Sequence, residues 1–270
     1  MIHTVAFDLD GTLAHSKNAI SDKTAQLLVK LMRKHNVAII TGASIEQLKK
    51  QYIPIIERNY AHSWKFGNSQ KLHYLFTTSG SRCDSLYPIM SYGNIIEFKT
   101  NTIFHYRIPG TIKHNIISIL NGSVLQLFKT LNETPVIYGD QVEDRIGQIT
   151  LSVLGQQAPL SDKLNWDPVG TKRQLLKSLI ELKLKEANVL DDVDVKLGGL
   201  TSVDVTNKNI NKKSAIQYLA KYIKEEDIMY FGDALYEGGN DHIVIETKAI
   251  CMQTISPDMT NHMIQTLFDL

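Results

Sequence analysis

The chain has 270 residues, 43% of them hydrophobic and 21% charged, enough apolar content for a substantial core spread over one or two domains. A formal net charge of +1 provides no long-range field for nucleic acid or an anionic membrane, and no apolar stretch approaches the ~20 residues of a membrane span. The two cysteines, Cys83 and Cys251, make neither a metal-ligand spacing nor a disulfide framework.

Residues 3–9 read as a buried strand that runs into the octet Val5-Ala-Phe-Asp-Leu-Asp-Gly-Thr12. The period of two puts Asp8 and Asp10 on the same side of the strand end, where two like charges need a cation or a shared proton. Three readings compete. An acidic hairpin turn is the plainest. A calcium loop fails, because Thr12, Leu13, Ala14 and His15 do not supply its ligands. A carboxylate nucleophile paired with an acid/base and a magnesium ion requires further parts at later positions. The same two aspartates interrupt any basic-then-apolar leader, so a cytoplasmic protein is expected.

A helix follows over about Ser21–Lys34, with Ala25, Leu28, Leu31 and Met32 on one face. Val37-Ala-Ile-Ile-Thr-Gly42 is a short buried strand, and Ser44 with Gln47 forms a capping box that opens another helix. Tyr74–Gly80 is a third strand. Strands alternating with helices imply parallel βαβ units, whose ligands sit at the carboxyl ends of the strands.

From about Ser85 to Val205 the pattern changes to helices on antiparallel strands. Helices are expected over 112–128 and 172–186, and strands over 135–138, 145–154, 193–197 and 202–205. Residues 155–170, with Pro159, Pro168 and Gly170, read as loop. The alternation then returns with a helix over 212–224, the strand Ile228-Met-Tyr-Phe-Gly-Asp233 and a helix over 256–268. The expected fold is α/β, a Rossmann-like doubly wound parallel-sheet core (1–84 and 206–270) with an inserted α+β cap domain (85–205).

Three features now align with the octet. Thr41 ends the second strand, where a hydroxyl and nearby amides can hold phosphate oxygens. Lys212, at a helix start, offers a cation, although Lys213 beside it leaves the choice between the two open. Asp233 ends a buried strand and begins Gly-Asp-Ala-Leu-Tyr-Glu-Gly-Gly-Asn-Asp241, which can complete a site of hard oxygen ligands for magnesium.

This set resembles the haloacid dehalogenase (HAD) superfamily of phosphohydrolases and phosphotransferases, subfamily IIB with a C2-type cap. The segment Phe231–Asp241 is similar to the eukaryotic-type phosphomannomutase branch. The resemblance implies Asp8 as nucleophile and Asp10 as general acid/base. It implies Mg2+ held by Asp8, the Asp10 main-chain carbonyl and Asp233, with Asn240 and Asp241 supporting the metal. Thr41, Gly42 and Lys212 would bind the transferring phosphoryl group. In the cap, Gly199-Leu-Thr-Ser-Val-Asp-Val205 resembles the segment whose Ser and Asp contact the sugar, here Ser202 and Asp204.

The mutase branch lines its cap with arginines that grip the distal phosphate. The stretch 145–156 resembles that segment, but it keeps only Arg145 and closes on Gln156, while an earlier arginine position falls at or near Tyr138. Glutamine cannot neutralise a phosphate. Either Lys163, Lys172 or Arg173 replaces the charge, or the cap no longer holds a second phosphate. The expectation is therefore a magnesium-dependent phosphatase of a phosphate monoester such as a sugar phosphate. The alternatives are a phosphomannomutase-like mutase and, from another class, a non-catalytic phosphometabolite-binding protein. A small phosphorylated substrate is the expected partner, with no nucleic acid and no membrane. In the mutase branch a cap surface can mediate dimers, so a homodimer is among the expected states.

Overall fold

The structure is a computed structural model that describes residues 1–16, 18–61, 71–91 and 94–270. The chain divides into two compact units, one formed by Met1–His105 with Asn211–Leu270 and the other by Tyr106–Ile210. The first unit begins with β1 (Thr4–Phe7), α1 (Asp22–Leu31), β2 (Asn36–Ile40), α2 (Ile45–Gln51), α3 (Ile53–Ala61) and β3 (His73–Thr77). It continues through β4 (Arg82–Ser91) and β5 (Asn94–His105). The second unit holds α4 (Gly110–Leu131), β6 (Val142–Asp144), β7 (Gln148–Ser152), α5 (Leu160–Trp166), α6 (Thr171–Glu186), β8 (Val193–Leu197) and β9 (Ser202–Asn207). The chain then re-enters the first unit with α7 (Lys212–Leu219), β10 (Ile228–Gly232), β11 (Ile250–Gln253) and α8 (Pro257–Phe268).

The first unit is built on a seven-stranded sheet in the order β11-β10-β1-β2-β3-β4-β5. Its first five members are parallel, and the β4–β5 hairpin adds antiparallel strands at the edge. Strand order reverses beside β1, which pairs with β2 on one side and β10 on the other. In open α/β sheets such a switch point opens a crevice at the carboxyl ends of the strands.

Alternation along these strands loads both faces. Val5, Phe7, Val37, Ile39, Leu75 and Phe231 pack with the apolar side chains of α1, α3 and α8. Phe7 and Phe231 stack with ring centroids 5.1 Å apart. Truncating such a buried ring to Ala costs about 3–5 kcal/mol. Ala6, Ala38, Ile40, Phe76 and Tyr230 face the other way, against Ala215, Ile216 and Leu219 of α7.

Helix starts follow their caps. Ser21 accepts from the Thr24 amide, and Ser44 with Gln47 makes the expected capping box. Asn211 and Ser214 cap α7 reciprocally, which fixes Lys212 as its first residue.

In the second unit a four-stranded antiparallel sheet, β6-β7-β9-β8, carries helices on one face. Ile116, Leu120 and Leu127 of α4 and Leu176, Ile180 and Leu184 of α6 cover Ile149, Leu151, Val193, Val203 and Val205. The opposite parity, Gln148, Thr150, Asp204 and Thr206, is polar.

Several boundaries differ from the sequence expectation. Strands β4 and β5 (82–91 and 94–105) form the hairpin of the first sheet, so the inserted unit spans 106–210 rather than 85–205. Residues 135–138 form no strand, because Pro135 lacks an amide proton and this segment closes on the Gly155 turn instead. The Tyr138 amide donates to the Leu154 carbonyl and the Gln157 amide to Tyr138. Gly155 has φ +85°, and a Cβ there would lie 2.2 Å from the Tyr138 oxygen. Within 155–170, Pro159 opens the short helix α5, whose Lys163 and Trp166 are buried. The helix from 212 stops at Leu219, its last residue in the core.

Candidate active site

The β1 strand carries Asp8 to the switch point, and the Asp8 amide donates to the Phe231 carbonyl of β10 at 2.9 Å. The chain then turns back, with the Gly11 amide donating to Ala14 at 2.7 Å and the Ala14 amide to Leu9 at 3.0 Å. Gly11 adopts φ +87°, and a Cβ there would lie 2.3 Å from Asp233 Oδ2. Two needs therefore select glycine here, a left-handed backbone and room for the Asp233 carboxylate. Asp8 is buried, and Asp10 and Asp233 are half-buried.

The lysine choice is decided by geometry. Lys212 Nζ donates to Asp8 Oδ1 at 2.6 Å and to Asp241 Oδ1 at 2.5 Å, with all three side chains at most 4% exposed. Lys213 points outward and pairs with Glu246 at 2.8 Å. Asp241 is held further by Tyr230, whose hydroxyl donates to Oδ1 at 2.6 Å, and by the Ala234 amide, which donates to Oδ2 at 3.1 Å. Asp241 thus fixes the lysine, a more direct task than the supporting place expected for it. Asn240 beside it is exposed.

Asp8, Asp233 and Asp241 each present a carboxylate oxygen within 4.8 Å of the others. Burial pushes the Asp8 carboxyl well above the usual range, against the pull of Lys212, and Asp241 and Asp233 add repulsion. Burial and repulsion from Asp241 push Asp233 up to about 6. Burial opposes ionisation of Asp241 as well, but Lys212, Tyr230 and the Ala234 amide outweigh it and hold Asp241 below the usual range. Lys212 is raised despite its burial, because Asp241 and Asp8 face it. One cation thus serves three crowded carboxylates, an arrangement that accepts a further cation.

At the end of β2, Thr41 is buried, and its hydroxyl accepts from the Ala43 amide at 3.1 Å. Its carbonyl accepts from the Ser79 amide at 2.9 Å, so the β2 and β3 ends meet at Thr41–Gly42. The structure therefore brings Asp8, Lys212, Asp233 and Asp241 together and sets Thr41 and Gly42 at a neighbouring strand end. Tyr230 escaped the sequence reading, although a tyrosine in an otherwise apolar central strand was a signal, since a buried phenol needs a polar partner.

The inserted unit has its own polar cluster. Asp204 is half-buried and accepts from the Thr150 hydroxyl at 2.7 Å, which in turn accepts from Gln148 at 2.9 Å. Burial raises the Asp204 carboxyl, with Arg145 and the Thr150 hydroxyl acting against that shift. Arg145 donates to Glu143 at 2.7 Å. Ser202 opens the same strand two residues before Asp204, with the same parity, and is half-buried. The amide of Gln156 donates to the Asp140 carbonyl at 2.9 Å. Lys172 pairs with Glu133 at 2.6 Å and lies over the Trp166 ring. Arg173 donates to Asp167 at 2.9 Å and to the Gly199 carbonyl at 2.8 Å. Lys172 and Arg173 are therefore committed to groups of their own unit.

Residues 90–270 match the family model for eukaryotic phosphomannomutase, and residues 5–58 match a haloacid dehalogenase-like hydrolase model. A phosphomannomutase from Dendrobium officinale is 24% identical over 267 residues, covering 95% of this chain and 90% of the relative. One from Saccharomyces cerevisiae is likewise 24% identical, covering 98% and 94%. Among solved structures, an N-terminally truncated IMP-nucleotidase from Plasmodium falciparum superposes with a TM-score of 0.71 at 15% identity, over 98% of this chain and 70% of that one. The C-terminal domain of a trehalose-6-phosphate phosphatase from C. albicans gives 0.60 at 15% identity, over 98% and 92%. The structural likeness establishes a HAD-type fold.

Proposed function

The chain belongs to the eukaryotic phosphomannomutase family within the HAD superfamily, and from that premise we propose that it moves a phosphoryl group between hydroxyls of a hexose phosphate through an aspartyl phosphate on Asp8. The observation that carries this reading is the buried Lys212 held between Asp8 and Asp241, with Asp233 alongside. The full-length relatives favour transfer to a sugar hydroxyl over the hydrolysis expected from the cap sequence. Because the nucleophile, the lysine and the acidic cluster are all in place, a purely binding role has no support.

An Asp8 oxygen attacks phosphorus, the bond to the leaving oxygen breaks, and protonated Asp10 delivers its proton to that oxygen. In the second half, a sugar hydroxyl attacks the aspartyl phosphate, Asp10 takes its proton, and the bond from phosphorus to Asp8 breaks. Lys212 neutralises the transferring oxygens, while the Thr41 hydroxyl and the Gly42 amide donate to them. Ser202 and Asp204, with Arg145, serve the sugar and its second phosphate.

The family implies magnesium, and the residues fit it. Asp8 and Asp233 are hard oxygen donors whose raised carboxyls record crowding that a divalent cation relieves. With the Asp10 carbonyl they would hold the ion. Bound there, it would neutralise charge on the phosphoryl oxygens.

Hydrolysis remains as a second reading for one reason. Gln156 stands where the mutase branch carries an arginine, and Lys172 and Arg173 are engaged by Glu133 and Asp167. Both readings share the first half-reaction, which can be tested alone. Protein mixed with magnesium and a hexose bisphosphate, quenched in acid and digested, should yield an Asp8 peptide carrying one phosphoryl group. An unmodified peptide, or full turnover by Asp8→Asn, would overturn the proposal.

A further inference from the structure

We infer that Tyr230 is a positioning residue of the phosphoryl-transfer site, fixing Asp241 and through it the Lys212 ammonium that faces Asp8. This rests on the proposed role of Asp8 and deepens it.

Tyr230 lies in the central strand β10, directly opposite Ala6 of β1, which is itself opposite Ala38 of β2. These small neighbours leave the α7 face of the sheet open for the ring. Gly232, two residues on and on the same face, keeps the space where ring and carboxylate meet. A Cβ there would lie 2.6 Å from Asp241 Oδ2 and 2.9 Å from the Tyr230 ring. The sequence thus clears a path from the strand to Asp241 on both sides of the tyrosine.

The phenol reaches Asp241 Oδ1 at 2.6 Å, the same oxygen that accepts from Lys212. Burial, Asp241 and Asp8 keep the phenol protonated, so it acts as a donor. With Ala234 on Oδ2, three donors pin both carboxylate oxygens and leave Asp241 no freedom to turn. A pinned Asp241 holds the lysine on one side while Asp8 holds it on the other. The Lys212 ammonium is then shared between the two carboxylates in one fixed place, where it faces an incoming phosphoryl group. A preorganised cation of this kind lowers the barrier without reorganising during the reaction.

The test is the single-turnover labelling of Asp8 by p-nitrophenyl phosphate with magnesium, in wild type, Tyr230→Phe, Asp241→Asn and the double variant. Tyr230→Phe removes one oxygen and orphans no buried donor, since Asp241 keeps Lys212 and Ala234, so the variant folds. Loss of one hydrogen bond to a charged group should slow labelling at saturation about tenfold, with the half-saturating concentration within about twofold of wild type. In the Asp241→Asn background the same change should add less than about twofold, because its target is already altered. Labelling of Tyr230→Phe within about twofold of wild type would overturn the inference. So would an undiminished tenfold loss in the Asp241→Asn background, which would show that the hydroxyl does not act through Asp241. Failure of wild type to label would instead sink the nucleophile assignment, and this inference with it.

Discussion

Lys212 Nζ lies 2.6 Å from Asp8 Oδ1 across 204 positions of sequence, joining the first strand of the core unit to the first helix after the inserted unit. Both groups are withdrawn from water, and Asp241 supplies a second carboxylate to the same ammonium. A buried ion pair is weak evidence of stability, since desolvation offsets attraction. Its persistence here fits the proposed chemistry, in which the ammonium beside Asp8 meets an incoming phosphoryl group.

Lys212→Ala and Lys213→Ala should therefore differ sharply. The first leaves Asp8 and Asp241 facing each other without a cation, which should lower stability by about 3–5 kcal/mol unless Asp8 takes up a proton, and should abolish labelling of Asp8. The second removes a surface pair with Glu246 and should change stability by less than about 1 kcal/mol. Thermal melting and labelling of both variants check this, and equal losses would contradict the assignment.

Gly11→Ala is the sharpest backbone test. The substitution meets a left-handed φ of +87° and drives a Cβ into the Asp233 carboxylate. Strain of about 1–2 kcal/mol is expected, together with a displaced Asp233 and weakened magnesium binding. Isothermal titration with magnesium should show the loss, and unchanged affinity would separate Asp233 from the ion.

The acidic cluster sets a pH dependence. Asp233 titrates near 6 in the folded chain against 3.8 as the reference, so it binds its proton more readily when folded. Its contribution to stability is complete below 3.8 and is lost as pH rises through about 6. Asp8 moves in the same direction. The interval from 3.8 to about 6 corresponds to about 3 kcal/mol, and partial exposure of Asp233 reduces that to about 1–2 kcal/mol. In chelator, the protein should melt higher at pH 5 than at pH 7.5, Asp233→Asn should flatten the difference, and magnesium should raise the melting temperature at pH 7.5 in wild type alone.

In the inserted unit, Gln156→Arg should place a cation at the position where the sequence resemblance expects an arginine. The expected result is a lower half-saturating concentration for a hexose bisphosphate, by about tenfold for one added charge-assisted contact, with little change for p-nitrophenyl phosphate. Lys172→Ala should leave both within about twofold and cost some stability through Glu133 and Trp166. Steady-state kinetics on the two substrates decide between these roles.

Much of the core was legible because β1, β2 and β10 are short apolar runs that lead directly into candidate site residues, Asp8, Thr41 and Asp233, whereas β11, a four-residue strand at the sheet edge, was not anticipated. The β4–β5 hairpin was not, since Pro88 and two register shifts break its alternation. Lys212 and Lys213 could not be told apart by composition. The Asn211–Ser214 cap sets the helix phase that turns one inward and the other out. Asp241 was visible in the Gly-Gly-Asn-Asp run, but its hold on Lys212 depends on contacts 11 and 29 positions away. Pairings of that range leave no periodic trace in sequence.

The central claim is transfer of the phosphoryl group from Asp8 to a sugar hydroxyl. It is tested most directly by supplying mannose 1-phosphate with magnesium and a hexose bisphosphate activator, and following mannose 6-phosphate and inorganic phosphate together. Mannose 6-phosphate should form with no matching release of phosphate. Free phosphate and mannose in equal amounts, without mannose 6-phosphate, would contradict it.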